Sequence, residues 1–156
     1  MLTPEASSAP SASPAPAPVS VRPVPPRANG ELILVADDQD SVRHLLVTVL
    51  NDHGYQTVTA ADGQMAIEVF RAHADKVVAV VTDIHMPNID GAYLADHLRA
   101  IREYVPILFM SGIDSGDPFH KRPVGSESPF LLKPFRPIAL LEALHRLLHR
   151  QRKPKD

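Results

Sequence analysis

Five polar side chains, Asp37, Asp38, Asp83, Ser111 and Lys133, each stand at the end of a short apolar run. Brought together, three carboxylates would repel and raise one another's pKa unless a cation lay among them. A set of oxygen ligands favours a hard divalent ion such as Mg²⁺, which keeps several waters and takes one or two carboxylates. Lys133 would add a second positive charge, and Ser111 a hydroxyl able to donate a hydrogen bond. A metal, an ammonium, a hydroxyl and one spare carboxylate suit phosphoryl transfer to that carboxylate, because catalysis there is mostly positioning and charge neutralisation. The expected product is an aspartyl phosphate on Asp83.

The elements that must position these residues follow from the apolar pattern. Val77 to Val81 has no alternation and reads as a strand buried on both faces, with Asp83 at its carboxyl end. Leu32 to Ala36 is a second such run and stops on Asp37 and Asp38. Tyr55 to Ala60 alternates and is β-rich; Pro106 to Met110 ends on Ser111, and Phe130 to Leu132 ends on Lys133. Helices are predicted between them. One is capped by Asp40 or Ser41, buries Val42, Leu45, Leu46, Val49 and Leu50, and ends at Gly54. A second, capped by Asp62, runs to about Ala72 and buries Met65, Ala66, Val69 and Phe70. A third, capped by Asp90, runs from Ala92 to about Glu103 over Leu94, Leu98 and Ile101. The last runs from Pro137 to about Gln151 with Leu140, Leu141, Leu144, Leu147 and Leu148 as its stripe.

Strands alternating with helices imply an α/β fold, a five-stranded parallel sheet with helices on both faces. In such a sheet every polar residue named above falls on one edge, although nearly a hundred positions separate Asp37 from Lys133. That carboxyl edge is where open α/β sheets bind ligands.

Composition bounds the alternatives. The 156 residues suit one domain, and the 44% apolar content is ample for a single core. The absence of Cys excludes disulfides, thiolate metal sites and cysteine nucleophiles. A formal net charge of -2 argues against a protein that coats nucleic acid. No apolar run has the roughly 18 to 20 residues needed to cross a bilayer, and no signal peptide is evident, so a soluble cytoplasmic protein is expected. Residues 1 to about 28 hold eight of the sixteen prolines. They read as a disordered tail, a solubilising leader in preference to a ligand for a proline-recognising partner.

At the acid pair Asp37-Asp38, the loop from Asp83 through His85, Met86 and Pro87 to Gly91, Ser111-Gly112 and Lys133-Pro134-Phe135, the chain resembles the receiver domains of two-component response regulators. The resemblance covers about residues 31 to 151, with 152 to 156 left as a basic tail. It implies a flavodoxin-like, doubly wound sheet of order 2-1-3-4-5, with Asp83 as phosphoacceptor. Asp38 would be a direct metal ligand and Asp37 a ligand through water. His85 would give its backbone carbonyl to Mg²⁺, with its side chain turned away by alternation. Ser111 would bind the phosphoryl group and Lys133 pair with it, next to a cis Lys133-Pro134 peptide. Ser111 and Phe130 would form the switch, Phe130 standing where similar domains more often have Tyr.

One departure is plain. Between Ser111 and Phe130 the family has a helix, whereas this segment carries three prolines, three glycines and no helical apolar period, so a loop or single turn is predicted. That resembles divergent receivers with a Phe-Ala-Thr-Gly-type motif, matched in part by Phe109-Met-Ser-Gly112, or receivers attached to hybrid sensor kinases. Such a segment would order on phosphorylation or binding.

The reading that results is a single-domain response regulator, taking a phosphoryl group from a sensor histidine kinase or phosphotransfer protein and acting on a downstream protein target as a monomer or phosphorylation-dependent dimer. It is not an enzyme beyond its own Mg²⁺-dependent phosphorylation and dephosphorylation. A phosphorelay intermediate, a phosphate sink and a phosphorylation-independent binding module remain open. A small-molecule phosphatase would need a second acid two residues after the nucleophile, where His85 stands. His145 and His149 have a spacing that could hold Zn²⁺, but with no third ligand evident a solvated helix face is the favoured reading. The basic carboxyl end is read as complementing the last helix's dipole.

Overall fold

The computed structural model describes residues 24–112 and 130–152. Of the expected tail over residues 1–28, residues 1–23 lie outside the described residues, as do 113–129 of the predicted loop and 153–156 of the basic tail. The elements are β1 (Leu32–Ala36), α1 (Asp40–Asp52), β2 (Gln56–Ala60), α2 (Gly63–Ala72), β3 (Val77–Asp83), α3 (Gly91–Ile101), β4 (Ile107–Gly112), β5 (Phe130–Lys133) and α4 (Pro137–Arg152). All five strands pair in parallel in the order β2-β1-β3-β4-β5, as the resemblance implied.

The inner strands are apolar without alternation because both of their faces are covered. Ile33, Val35, Ala79, Val81, Leu108 and Met110 point to one side, where Leu46 and Leu50 of α1 and Leu140, Leu141, Leu144 and Leu147 of α4 close over them. Leu34, Ala36, Val80, Ile107 and Phe109 point to the other, against Ala66, Ile67 and Phe70 of α2 and Leu94, Ala95 and Leu98 of α3. The core is therefore two layers split by the sheet. β2 lies at an edge, and its middle residues are only partly buried.

Several local expectations are corrected. α1 begins at Asp40 with Gln39 in the N-cap position and no side-chain cap, so neither Asp40 nor Ser41 caps it. Asp40 instead pairs with Arg43 one turn on. Leu45, Met65 and Ile101 are exposed although expected in the core. On α2 the buried set is Gly63, Ala66, Ile67 and Phe70, a strict i, i+3, i+4, i+7 stripe that leaves Met65 outside it. Asp62 and Asp90 cap α2 and α3 as expected, accepting from Met65 N at 2.7 Å and Tyr93 N at 2.9 Å.

The chain ahead of β1 continues the parallel pairing towards the sheet's opposite edge. Ala28 N donates to His53 O at 2.9 Å and Gly30 N to Gly54 O at 2.8 Å, and Ala28 packs on the α1/α4 side of the core. Gly54 has φ of 98°, and a Cβ there would also collide with the Ala28 carbonyl oxygen, so both conformation and space require glycine.

Candidate functional site

β1, β3, β4 and β5 end on the same rim of the sheet, and parallel register alone brings their tips together: Ala36 lies opposite Thr82, Asp83 opposite Met110, and Gly112 opposite Lys133. The Lys133 ammonium bridges two strands, donating to Asp37 Oδ2 at 3.0 Å and to Asp83 Oδ2 at 3.2 Å. Asp37 is completely buried and Asp83 nearly so, while Asp38 is exposed. Carboxylate oxygens of all three acids lie within 4.8 Å of one another.

Each carboxylate is held by the local chain. Asp37 Oδ1 accepts from Gln39 N at 2.8 Å, which turns the chain from β1 into α1, and the Asp37 carbonyl accepts from Arg43 Nη1 at 2.8 Å. Thr82 Oγ1 donates to the Asp83 carbonyl at 2.9 Å, and Asp83 Oδ1 accepts a long bond from His85 N at 3.4 Å. Burial pushes the Asp83 carboxyl above the usual carboxylate range; Lys133 opposes this and Asp37 reinforces it. Burial pulls the Lys133 ammonium down, but its bonds and charge interactions with Asp37 and Asp83 outweigh that and raise it on balance.

The loop after Asp83 is built around close approach. Asn88 adopts φ of 72°, Gly91 N donates to Ile84 O at 2.7 Å, and α3 starts at once behind it. A Cβ on Gly91 would sit 2.7 Å from the Asp83 carbonyl oxygen and 2.8 Å from Ile84 Cα, both backbone atoms that cannot yield. Gly91→Ala is therefore expected to destabilise the fold by about 2 kcal/mol through overpacking, measured as a shift in the urea midpoint. An unchanged midpoint would show that the loop can move aside without cost.

The cavity over the rim has a volume of about 890 Å³ and is lined by Asp38, Gln39, Val42, Leu45, Asp83, His85, Gly112, Lys133, Pro134 and Phe135. Sequence reasoning found its charges but missed its walls. Leu45 was assigned to the core, and it borders the cavity because the buried stripe of α1 is narrower than the apolar one. His85 is exposed and is among the residues that border this cavity. Ser111 lies fully buried one residue past the partner of Asp83, its hydroxyl donating to the Gly112 carbonyl at 3.3 Å. Phe130 stacks on Phe109 with ring centroids 6.5 Å apart, and the Lys133-Pro134 peptide is cis.

The donor set fits a hard divalent cation. With every group ionised, three carboxylates against one ammonium leave two negative charges uncompensated, and only oxygen atoms are offered.

The profile of the response regulator receiver domain matches residues 33–145. The chain is 35% identical over 127 residues to a probable transcriptional regulator, ycf27, of Cyanophora paradoxa, an alignment covering 81% of this chain and 52% of that protein. It is 31% identical over 119 residues to the sensor kinase CckA of Brucella abortus, covering 76% of this chain and 13% of the kinase. Among solved structures, the receiver domain of the hybrid histidine kinase CckA superposes with a TM-score of 0.63 at 30% identity, covering 75% of this chain and 98% of that one. The chemotaxis protein CheY4 of Vibrio cholerae gives 0.68 at 27%, covering 76% and 99%. The chain thus belongs to the receiver domains of two-component response regulators. It spans about half the length of the ycf27 relatives it matches. Among the described residues no helix is long and apolar enough to cross a membrane.

Proposed function

We propose that this receiver accepts a phosphoryl group on Asp83 from a phosphohistidine of a sensor kinase or phosphotransfer protein and signals through contact with a protein target. One observation carries the reading: Lys133 holds Asp83 and Asp37 together on a buried rim with Asp38 beside them, a carboxylate cluster facing an open cavity. An Asp83 carboxylate oxygen attacks phosphorus; the P–O bond forms as the P–N bond breaks, and the imidazole that leaves keeps the electron pair and takes up a proton. Asp37, Asp38, Asp83 and the His85 carbonyl would hold Mg²⁺, whose charge offsets that of the transferring group. Lys133 turns from bridging two carboxylates to pairing with the phosphoryl oxygens, and the Ser111 hydroxyl donates to them. Phe130, on the strand next to Ser111, is the group that would repack.

Incubation with Mg²⁺ and a small phosphodonor, followed by intact mass, tests the chemistry. The expected result is one acid-labile phosphoryl group per chain, lost when Mg²⁺ is chelated beforehand; steady turnover of the donor would favour a phosphatase, and neither change a binding module.

The switch is tested separately. Phe130→Ala is expected to leave phosphorylation intact while reducing the dependence of target binding on it at least tenfold. Full dependence in the variant would remove Phe130 as the relay.

A further inference from the structure

Far from the aspartate rim, α4 carries His145 and His149 four residues apart, with ring centroids 3.8 Å from each other and planes inclined by 41°. Neither ring is deeply buried, and His149 is exposed. The two rings lie one over the other, and turning them about their last side-chain torsions, whose wells are broad and shallow, is what would let one nitrogen of each face a shared ion. A helix holds such a pair rigidly, because residues i and i+4 lie one above the other on a single face. Imidazole suits Zn²⁺, Ni²⁺ and Cu²⁺, in contrast to the all-oxygen rim.

A third histidine stands nearby. His53, at the C-cap of α1, is buried with its Nε2 placed 3.0 Å from the Pro26 carbonyl, and it lies near enough to repel a proton on His145. Burial first, then the neighbouring His149 and His53, lower the His145 pKa.

We propose that His145 and His149 form a binding site for a borderline divalent transition metal of the Zn²⁺ class, with the remaining coordination positions left to water or an anion. Among the described residues, the only group of three or more His, Cys, Asp or Glu with ligand atoms within 4.8 Å is the aspartate set, so the histidines supply two ligands and an open site. The site lies on a helix that packs over the sheet through Leu140, Leu141, Leu144 and Leu147, so a metal there needs no change in the core.

Calorimetric titration of the full chain with ZnCl₂ at pH 7.5, in excess Mg²⁺ to saturate the acidic rim, tests this independently of any phosphorylation. One Zn²⁺ per chain is expected. His149→Gln and His145→Gln should each weaken binding at least tenfold, with unchanged far-UV circular dichroism showing that α4 persists. Lowering the pH to 5.5 should weaken wild-type binding by a similar factor. The absence of Zn²⁺ binding in the wild type, or wild-type affinity in the double variant, would overturn the proposal.

Discussion

Asp83→Asn is expected to abolish the acid-labile phosphoryl adduct, a loss of at least roughly 100-fold, because a neutral amide cannot replace a carboxylate nucleophile. The side chain keeps its shape, so the rim should survive: Lys133 can still donate to the amide oxygen at position 83 and to Asp37. Stability should change in the opposite sense to activity. Burial raises the Asp83 pKa, so in the metal-free protein this group contributes stability that is present below the unfolded carboxyl pKa and lost as pH rises through the folded one. At neutral pH the charged Asp83 is therefore a liability, which asparagine removes. In EDTA at pH 7 the variant should unfold at higher urea than the wild type, by on the order of 1 kcal/mol, a size ordinary for a point substitution. Saturating Mg²⁺ should reverse the ranking by stabilising the wild type through its binding. An Asp83→Asn protein phosphorylated to wild-type yield would move the nucleophile to Asp37 or Asp38. One that is less stable in EDTA would show that Lys133 needs the second charge.

Lys133→Met should have the largest effect on stability. Among the described residues the Lys133 ammonium is the cationic partner of Asp37, whose side chain is 0% exposed, and of Asp83 at 9%. Removing one member of a buried ion pair leaves a desolvated charge, a cost of about 3 to 5 kcal/mol, whereas the intact pair contributes little net. We expect a loss near the lower figure, about 3 kcal/mol, since Lys133 keeps 20% exposure and water reaches the rim. Urea unfolding in EDTA measures it, and Mg²⁺ should restore part of it by supplying the missing charge. The pH dependence has a defined sign. The Lys133 pKa is raised, so its contribution is fully present below the ordinary lysine pKa and lost as pH rises through the folded value. The wild type should therefore lose stability above about pH 10, near the free lysine pKa, with a step that Lys133→Met lacks. Equal midpoints for the two proteins in EDTA would mean that the bridge between β1 and β3 stabilises nothing.

The central part of the site was legible because unbroken apolar runs, set between segments of 3.6-residue period, give strand ends directly, and a parallel sheet sends all its carboxyl ends to one side. Asp37, Asp38, Asp83 and Lys133 needed no contact information to be grouped. The walls of the cavity were not legible. Leu45 and Leu46 are equally apolar, and only the angle at which α1 lies on Ile33 and Val35 decides that one is buried and the other borders the cavity. Met65 and Ile67 were exchanged on α2 for a related reason: Gly63 faces Ile89 with no room for a Cβ, a contact that no window of α2 alone contains. Likewise the Asx-like bond from Gln39 N to Asp37 replaces a helix cap, because Asp37 is fixed at the strand tip by Lys133 from ninety-six positions away.

By itself the sequence determined the alternation of strands and helices, the two-sided core and the identity of the charges at one rim, since these depend on local apolar period and on the handedness of crossovers. Tertiary structure alone decided which charges are buried, that Lys133 spans Asp37 and Asp83, and that His53 lies close enough to His145 for their charges to interact. Those are relations between residues far apart in the chain, and their energies depend on burial and distance, quantities that exist only once the helices have been laid against the sheet.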